Sequence, residues 1–244
     1  EVAPANDFSA QTGRPYGTYI GLVAERFYDV TDFDNAGNLK PGIPVPAFGS
    51  VQPGDVKYKD LDGNDVVDQN DVDQIGKSAY PEWYYSFGGK IGWKGFDLEV
   101  LFQGAAGASV NLLDNWNQTV AFIDNGNAYE IAKGAWAYYP TEGIDTRATA
   151  RYPRLTAQNN ENNYQTSSLW IKSADYLKLR NLELGYNFNA LKLQKAGIEN
   201  LRIYLSGQNL FTFSGLLKNY NLDPERISGY PTVKSYNVGV SITF

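Results

Sequence analysis

Hydrophobic and polar residues alternate most clearly in the last stretch of the chain, from Ser235 to Phe244. Its even positions carry apolar side chains, and its odd positions carry Ser, Asn, Thr or Gly. A period of two residues predicts a β-strand with one apolar and one polar face. At about 3.3 Å per residue and a tilt of about 45°, the segment Thr232–Phe244 is long enough to cross a hydrocarbon layer of about 30 Å. We interpret it as a strand whose apolar face contacts lipid, with its terminal aromatic residue at the membrane surface.

Further strands are predicted where aromatic and β-branched residues cluster or alternate. They are Tyr16–Tyr28, Trp83–Trp93, Phe96–Gln103, Tyr176–Phe188 and Leu201–Phe213. A two-residue turn at Lys94 and Gly95 joins the second and third of these. Within the fourth, the parity of the apolar positions changes near Arg180 and Asn181. This predicts either a β-bulge or a first half that faces something other than lipid. Short helices are expected near Ala128–Ala137 and Ala190–Gly197.

The connections between these strands alternate in length. Residues 29–81 are rich in Pro, Gly and Asp and predict one long extracellular loop, residues 104–171 predict a second, and residues 172–244 hold the last three strands. Because successive connections of an antiparallel barrel lie on opposite sides of the membrane, this sorting favours a barrel over a soluble β-sandwich. About six strands cannot close a barrel, and open edges are not tolerated in lipid. The chain is therefore expected to be the C-terminal part of a larger barrel.

Composition excludes several classes of protein. The chain has 244 residues with no cysteine or histidine and a net charge of -6, so thiol chemistry, a histidine base and a phosphate-binding basic surface are not expected. No apolar run approaches the roughly 20 residues of a membrane helix. Asp97 and Glu99 lie on one face of one strand, whereas the two carboxylates of a glycosidase flank a cleft. We predict no enzyme, no catalytic residue and no nucleic-acid partner.

One acidic segment resembles a calcium-binding loop. Oxygen ligands at the loop positions would come from Asp60, Asp62, Asn64, the Val66 carbonyl, Asp68 and Asp71. Asp65 stands where such a loop usually has Gly, and Asp71 is shorter than the usual Glu. The alternative is a solvated acidic turn. A bound Ca²⁺ would be structural and would hold an extracellular loop.

Two further sets of side chains are candidates for contacts outside the chain. Aromatic residues of the predicted loops would stack on sugar rings, meet a partner protein or pack on one another; they are Trp116, Trp136, Tyr138, Tyr139, Tyr152, Tyr164 and Trp170. Opposite the lipid-facing stripe, a polar lumen or plug contact would account for Lys90, Asp97, Glu99, Gln103, Lys178, Arg180, Arg202, Asn237 and Ser241.

Five segments, in this order along the chain, together resemble a known family. They are Pro53–Asn64, Trp93–Leu98 with Phe102–Gly104, Ser173–Tyr186, Asn200–Phe211 and Gly239–Phe244. From about Tyr16 to Phe244, the chain resembles the C-terminal portion of the SusC/RagA family of TonB-linked outer-membrane transporters.

The resemblance implies an all-β fold: the C-terminal strands of a large, 22-stranded, antiparallel transmembrane β-barrel with long extracellular loops. It implies a SusD-like surface lipoprotein as partner, TonB acting through an N-terminal part with a plug that is absent here, and contact with outer-membrane lipid. It also implies import of oligosaccharides or peptides across the bacterial outer membrane. The alternative is a secreted β-sandwich that binds carbohydrate.

Overall fold

The computed structural model describes residues 7–123, 126–188 and 197–244. Its strands are β1 (Thr18–Leu22), β2 (Ala24–Phe27), β3 (Val45–Pro46), β4 (Val56–Tyr58), β5 (Val66–Val67), β6 (Val72–Ser78), β7 (Trp83–Trp93), β8 (Phe96–Ala106), β9 (Ser109–Asn111), β10 (Tyr138–Tyr139), β11 (Ile144–Asp145), β12 (Ile171–Ser173), β13 (Tyr176–Asn187), β14 (Asn200–Ser214) and β15 (Ser235–Thr243). Within the described ranges, the α-helices are α1 (Trp116–Thr119) and α2 (Gly215–Tyr220). Single 3₁₀ turns are Asp7–Ser9, Val30–Asp32, Leu112–Asn115, Glu130–Gly134 and Pro140–Glu142.

These elements form two compact units. The described part of the first comprises residues 7–80, 108–123, 126–173 and 219–221, and that of the second comprises 81–107, 174–188, 197–218 and 222–244. The second unit is one antiparallel sheet in the order β15-β14-β13-β8-β7. Lys94 and Gly95 join β7 to β8 with φ angles of 49° and 90°. Positive φ at both positions fits the twist of a two-residue hairpin turn, so the predicted turn is confirmed.

The sheet has one apolar and one polar face. One apolar row crosses all five strands through Ile91, Leu98, Leu184, Leu205 and Val238. The row displaced by one residue passes through Lys90, Glu99, Glu183, Ser206 and Asn237. In the apolar row, Ile91 is 67% exposed and Val238 75% exposed. A face this apolar and this open, across five strands, is suited to contact with hydrocarbon rather than water.

A β-bulge at Arg180 explains the change of parity in β13. Leu179 pairs with Phe102 and Asn181 with Leu101, so Arg180 is an extra residue that has no counterpart on β8. Because of this extra residue, Leu179 and Leu182 both lie on the apolar face despite their different parity. The predicted bulge is confirmed, and the alternative interpretation of the first half of this strand is not needed.

The prediction that Tyr16–Tyr28 forms one strand of the barrel sheet is wrong. The segment is divided into β1 and β2, which pair with β6 and β4 in two small antiparallel sheets of the first unit. The physical reason is its weak alternation: Leu22 and Tyr28 are each 1% exposed and belong to two different small cores. A strand that is buried in this way cannot present a continuous lipid-facing stripe.

The first unit also contains ordered structure in the segments that were predicted to be loops. Leu22, Val56, Tyr58 and Val67 form one core cluster. The Asn-rich segment after Gln158 supports this core, because Asn162 and Asn163 bond the backbone C=O and N–H of Val56. Polar side chains there satisfy buried backbone groups that no neighbouring strand reaches.

Helical structure is limited in the part of the chain that the structure describes. The helix expected near Ala128–Ala137 is the 3₁₀ segment Glu130–Gly134. The turns expected at 190–197 lie, apart from Gly197, outside the described residues. Among the helices of the described ranges, none has the length and apolar character needed to cross a membrane.

Close packing within the sheet predicts different effects for two glycines. A Cβ on Gly104 would lie 2.4 Å from the Tyr176 carbonyl oxygen and 2.5 Å from Cζ of Tyr85, whereas a Cβ on Gly89 meets nothing within 4 Å. We expect Gly104→Ala in the intact protein to lower the free energy of unfolding by about 1–3 kcal/mol through overpacking. Gly89→Ala is the matched control and should leave it unchanged. Urea titration with heat-modified gel mobility as the readout compares them, and equal midpoints would contradict the described packing.

Candidate functional site

One cluster of charges lies on the polar face near the β7–β8 turn. Arg202 of β14 bonds Asp97 of β8 through Nε at 3.2 Å and Nη2 at 2.5 Å, and it bonds Glu183 of β13 at 2.7 Å. Asn187 donates to Asp97 at 2.8 Å. The Arg202 guanidinium lies over Gly185, where a Cβ would be 2.5 Å from Nη2. The missing side chain at Gly185 therefore lets one arginine connect three strands.

The carboxylates considered for glycosidase chemistry have separate partners. Asp97 bonds Arg202, while Glu99 faces Lys90 across the β7–β8 pair at 3.5 Å. Both lie on one sheet face rather than across a cleft from each other. Their arrangement supports a polar wall and gives no basis for assigning a catalytic pair.

A second cluster lies at the opposite end of the polar face, where the long connections begin and end. Tyr176, Lys178 and Arg180 of β13 all bond the carboxylate of Glu225, which lies on the loop between β14 and β15. Lys178 is only 1% exposed and has Asp223 as a second acidic neighbour, 3.6 Å away. We call Tyr176, Lys178 and Arg180 the clamp. Sequence reasoning placed the two cations on the polar face but missed Glu225, because 45 residues separate it from Arg180.

The electrostatic environment keeps both loop acids ionised. Burial raises the pKa of Glu225, but hydrogen bonds from Arg180, Lys178 and Tyr176 outweigh this and hold it below its ordinary value. Asp223 is likewise subject to burial, and hydrogen bonds from the Thr232 hydroxyl and backbone bring its pKa below the usual range. Charge-assisted hydrogen bonds of this kind favour the carboxylate form.

The calcium-like segment of the first unit brings together three of its six predicted ligands. Carboxylate oxygens of Asp60, Asp62 and Asp71 lie within 4.8 Å of one another. An all-oxygen set of this kind fits a hard cation such as Ca²⁺. However, Asp71 is fully buried and accepts backbone N–H groups of Leu61 at 2.7 Å and Asp68 at 2.8 Å. Asp71 thus has a structural role in the turn that does not depend on a cation.

Two of the other predicted ligands accept backbone N–H groups of their own segment. Asn64 Oδ1 accepts the Val66 N–H at 2.8 Å, and Asp68 Oδ1 accepts the Asn70 N–H at 2.7 Å. Asp65 has a φ of 65°, so it adopts the left-handed conformation for which a calcium loop usually has Gly. Burial raises the pKa of Asp62, and the carboxylates of Asp71 and Asp60 raise it further. A cation would relieve this repulsion; Ca²⁺ binding stays a prediction.

Most of the candidate aromatic residues pack on one another. Trp170 and Tyr152 are 1% and 0% exposed, and their ring centroids are 5.6 Å apart in an edge-to-face contact. Tyr164 stacks on Trp170 at 5.7 Å and meets Trp116 at 5.3 Å. Burial raises the pKa of the Tyr152 and Tyr164 hydroxyl groups, which also contact each other at 3.2 Å. Within this cluster, Trp116 is the most exposed ring, at 39%.

The remaining aromatic candidates lie in and beside a small hairpin. Tyr138 and Tyr139 form β10, which pairs with Ile144 and Asp145 of β11. The Arg147 guanidinium lies 3.7 Å from the Tyr138 ring centroid, so a cation already covers that ring. Tyr139 is 55% exposed. Trp136 packs close to Gly54. The structure thus leaves Trp116 and Tyr139 as the most accessible members of the predicted binding set.

The chain is similar in sequence to two TonB-dependent receptors. The chain is 27% identical to TonB-dependent receptor P3 of Formosa agariphila over 265 residues, covering 100% of the chain and 24% of that receptor. It is 23% identical to TonB-dependent receptor P26 of the same organism over 242 residues, covering 91% of the chain and 23% of the receptor. The chain therefore spans about a quarter of the length of these curated relatives. No family model matches it.

Solved structures with a similar fold include those of RagAB. The chain superposes on the RagAB peptide importer in its open-open state with a TM-score of 0.60 and 19% identity, covering 93% of the chain and 22% of the importer chain. For the RagAB peptide transporter the TM-score is 0.59 and the identity 20%, with coverage of 93% and 23%. The class of structure is thus a segment of an antiparallel outer-membrane β-barrel.

The similarity to these proteins tests several of the predictions made from the sequence. The resemblance to SusC/RagA-type TonB-dependent transporters is confirmed, as is the bacterial outer-membrane location. The relatives are receptors and transporters, so the prediction that the chain is not an enzyme is also confirmed. The all-β antiparallel fold class is confirmed, and the described residues contribute five adjacent strands in an open sheet.

Two substitutions separate a structural from a metal-binding role of the acidic segment. Asp71→Asn places an amide where Asp71 accepts backbone N–H groups, so we expect faster hydrogen exchange in residues 60–71 with and without Ca²⁺. Asp62 accepts only from Asn64 in this segment, so Asp62→Asn should leave the calcium-free exchange nearly unchanged.

The predicted Ca²⁺ site requires a further result from the same measurement. Millimolar Ca²⁺ should slow exchange in residues 60–71 of the unmodified intact protein, and Asp62→Asn should remove that protection. Mg²⁺ at the same concentration is the control for ionic strength. If the exchange rates do not respond to Ca²⁺, the predicted site is refuted, and the segment is an acidic turn held by its own hydrogen bonds.

Proposed function

We propose that this chain forms part of the barrel wall and exterior loops of a TonB-dependent importer in the outer membrane. The observation that carries the proposal is the five-stranded sheet with an exposed apolar face and an ion-paired polar face. An apolar outer face suits lipid, and a polar inner face suits a path for a water-soluble molecule. Its likeness to TonB-dependent receptors supports the same function.

The transported molecule is proposed to be an oligosaccharide or a peptide. The RagAB structures are those of a peptide importer, which supports a peptide. The exposed rings of Trp116 and Tyr139 support a sugar, because aromatic faces stack on sugar rings. Selectivity would arise jointly from the loops of this chain, a plug and a lid protein. We propose a SusD-like surface lipoprotein as that lid. Energy from the inner membrane would be passed on by TonB through a separate N-terminal part.

A secreted β-sandwich is the less favoured alternative. In a sandwich, the apolar face of this sheet would be covered by a second sheet about 10 Å away. Within the described ranges the apolar face is not covered in this way, and Val238, Leu205 and Ile91 are all more than half exposed. Contact with lipid accounts for this exposure, and a soluble module does not.

Neighbouring positions on β15 test the lipid-facing assignment. Val238 lies in the middle apolar row, and Asn237 lies in the polar row beside it. We expect Val238→Lys in the intact protein to cost about 2–4 kcal/mol of stability in the membrane, because a cation would face hydrocarbon. Asn237→Lys is the matched control and should assemble normally. Heat-modified gel mobility in outer-membrane fractions measures assembly, and a protein that remains in solution without detergent would refute the barrel assignment.

The import function requires a separate experiment in cells. Deletion of the gene should abolish uptake of one class among labelled oligosaccharides and peptides, and removal of TonB should have the same effect. Complementation with the unmodified gene is the control. Uptake that survives deletion for both classes would contradict the proposed function, whereas loss for one class would identify the substrate.

A further inference from the structure

The clamp on β13 has the geometry of a carboxylate-binding site. Oε1 of Glu225 accepts from the Tyr176 hydroxyl at 2.9 Å and from Arg180 Nη2 at 2.5 Å. Oε2 accepts from Lys178 Nζ and, at 3.3 Å, from Arg180 Nη1. Four donors thus converge on two oxygens, with the arginine binding in a bidentate manner. Such geometry recognises the planar carboxylate group rather than negative charge alone.

Arg180 of the clamp is held in place independently of Glu225. Arg180 Nε donates to Gln103 Oε1 at 2.9 Å, and Arg180 Nη1 donates to Asn209 Oδ1 at 2.8 Å. Arg180 is also the extra residue of the β-bulge, a feature that commonly redirects a side chain towards a site. Because β8 and β14 fix its guanidinium group, Arg180 would remain in position if Glu225 left.

The bound acid belongs to a loop that is closed by its own bonds. Asp223 accepts the N–H groups of Glu225 at 3.0 Å and of Thr232 at 2.9 Å, so the loop keeps its shape by internal contacts. The Glu225 side chain is 23% exposed, whereas that of Lys178 is 1% exposed. An incoming group can therefore approach Glu225 from solvent, while Lys178 stays covered as long as Glu225 is in place.

We propose that Tyr176, Lys178 and Arg180 form a carboxylate-binding site on the polar face, and that Glu225 is its internal ligand, displaced by an acidic group of the transported molecule. The identity of that molecule as cargo rests on the proposed import function; the site itself does not. Displacement removes the contacts of Glu225 with β13 and leaves the longer contacts of Asp223 and Thr232 with Lys178 between the loop and this strand. The clamp thereby couples the arrival of an anionic ligand to the loosening of this loop.

The exchange is energetically balanced because one carboxylate replaces another. Opening of the loop would take both Glu225 and Asp223 away from buried Lys178. A buried lysine without a counterion is strongly unfavourable, so the loop should open mainly when a second anion takes their place. A tethered side chain competes at an effective concentration of the order of millimolar. A simple monocarboxylate must therefore be present well above that level, whereas a molecule with several acidic groups needs less.

Hydrogen exchange of residues 222–232 in the intact, detergent-solubilised protein tests the site, with acetate and citrate as the probes. Acetate should accelerate exchange more than chloride at equal ionic strength, and citrate should act at lower concentration than acetate. Glu225→Gln should raise exchange in this loop about tenfold or more, because it removes a charge-assisted contact. In this variant, acetate should not accelerate hydrogen exchange of the loop any further. Glu99→Gln is the matched control, since Glu99 pairs with exposed Lys90 on the same face and does not touch the loop.

Two results would overturn the proposal. One is identical exchange in acetate and chloride at all concentrations up to about 1 M, far above the effective concentration of a tethered group. The other is an unchanged exchange rate in Glu225→Gln. If that variant fails to assemble, the probe titration of the unmodified protein still decides. Because exchange is measured without transport, failure here is distinguishable from failure of the uptake experiment.

Discussion

The need to pair every backbone N–H and C=O group in hydrocarbon governs the second unit of this structure. Water is absent from the bilayer core, so the strands must satisfy one another along their whole length. The five long strands do so in continuous antiparallel register from Trp83 to Thr243, apart from the bulge at Arg180. The outer edges of β7 and β15 have no partner strand in the described ranges. In a membrane these edges require further strands, which agrees with a chain that spans about a quarter of its relatives.

Strand pairing also fixes what the polar face can do. Once alternation directs one set of side chains to lipid, all charged groups of these strands are gathered on the opposite face. Arg202 connects three strands there because Gly185 leaves room for its guanidinium group. At the other end, the bulge directs Arg180 to a carboxylate from a different connection. The polar wall is thus a set of ion pairs that connect strands with one another and with a loop.

The structure of the second unit could be predicted from its sequence more completely than that of the first unit. Alternation in the long strands predicted their positions, the hairpin turn and the bulge. In the first unit, strands as short as β3 and β5 pair in parallel between segments that are distant in sequence. Periodicity over two residues carries no signal, so these segments were interpreted as loops. The acidic motif is intermediate: its spacing predicted that Asp60, Asp62 and Asp71 would converge, but not that backbone groups would bind Asp71.

The sequence by itself determined which segments become long strands and which side of each strand is apolar, because side-chain direction follows directly from residue parity. The order of its motifs was sufficient to indicate the family it resembles. Only the tertiary structure decided which loop acid meets Lys178 and Arg180, which aromatic rings are buried and which remain exposed. Those outcomes depend on contacts between residues far apart in the chain, such as Glu225 with Arg180 and Tyr152 with Trp170. The local sequence pattern determines to which face of a strand a side chain points. The course of the connecting segments determines which side chains from distant parts of the chain contact one another.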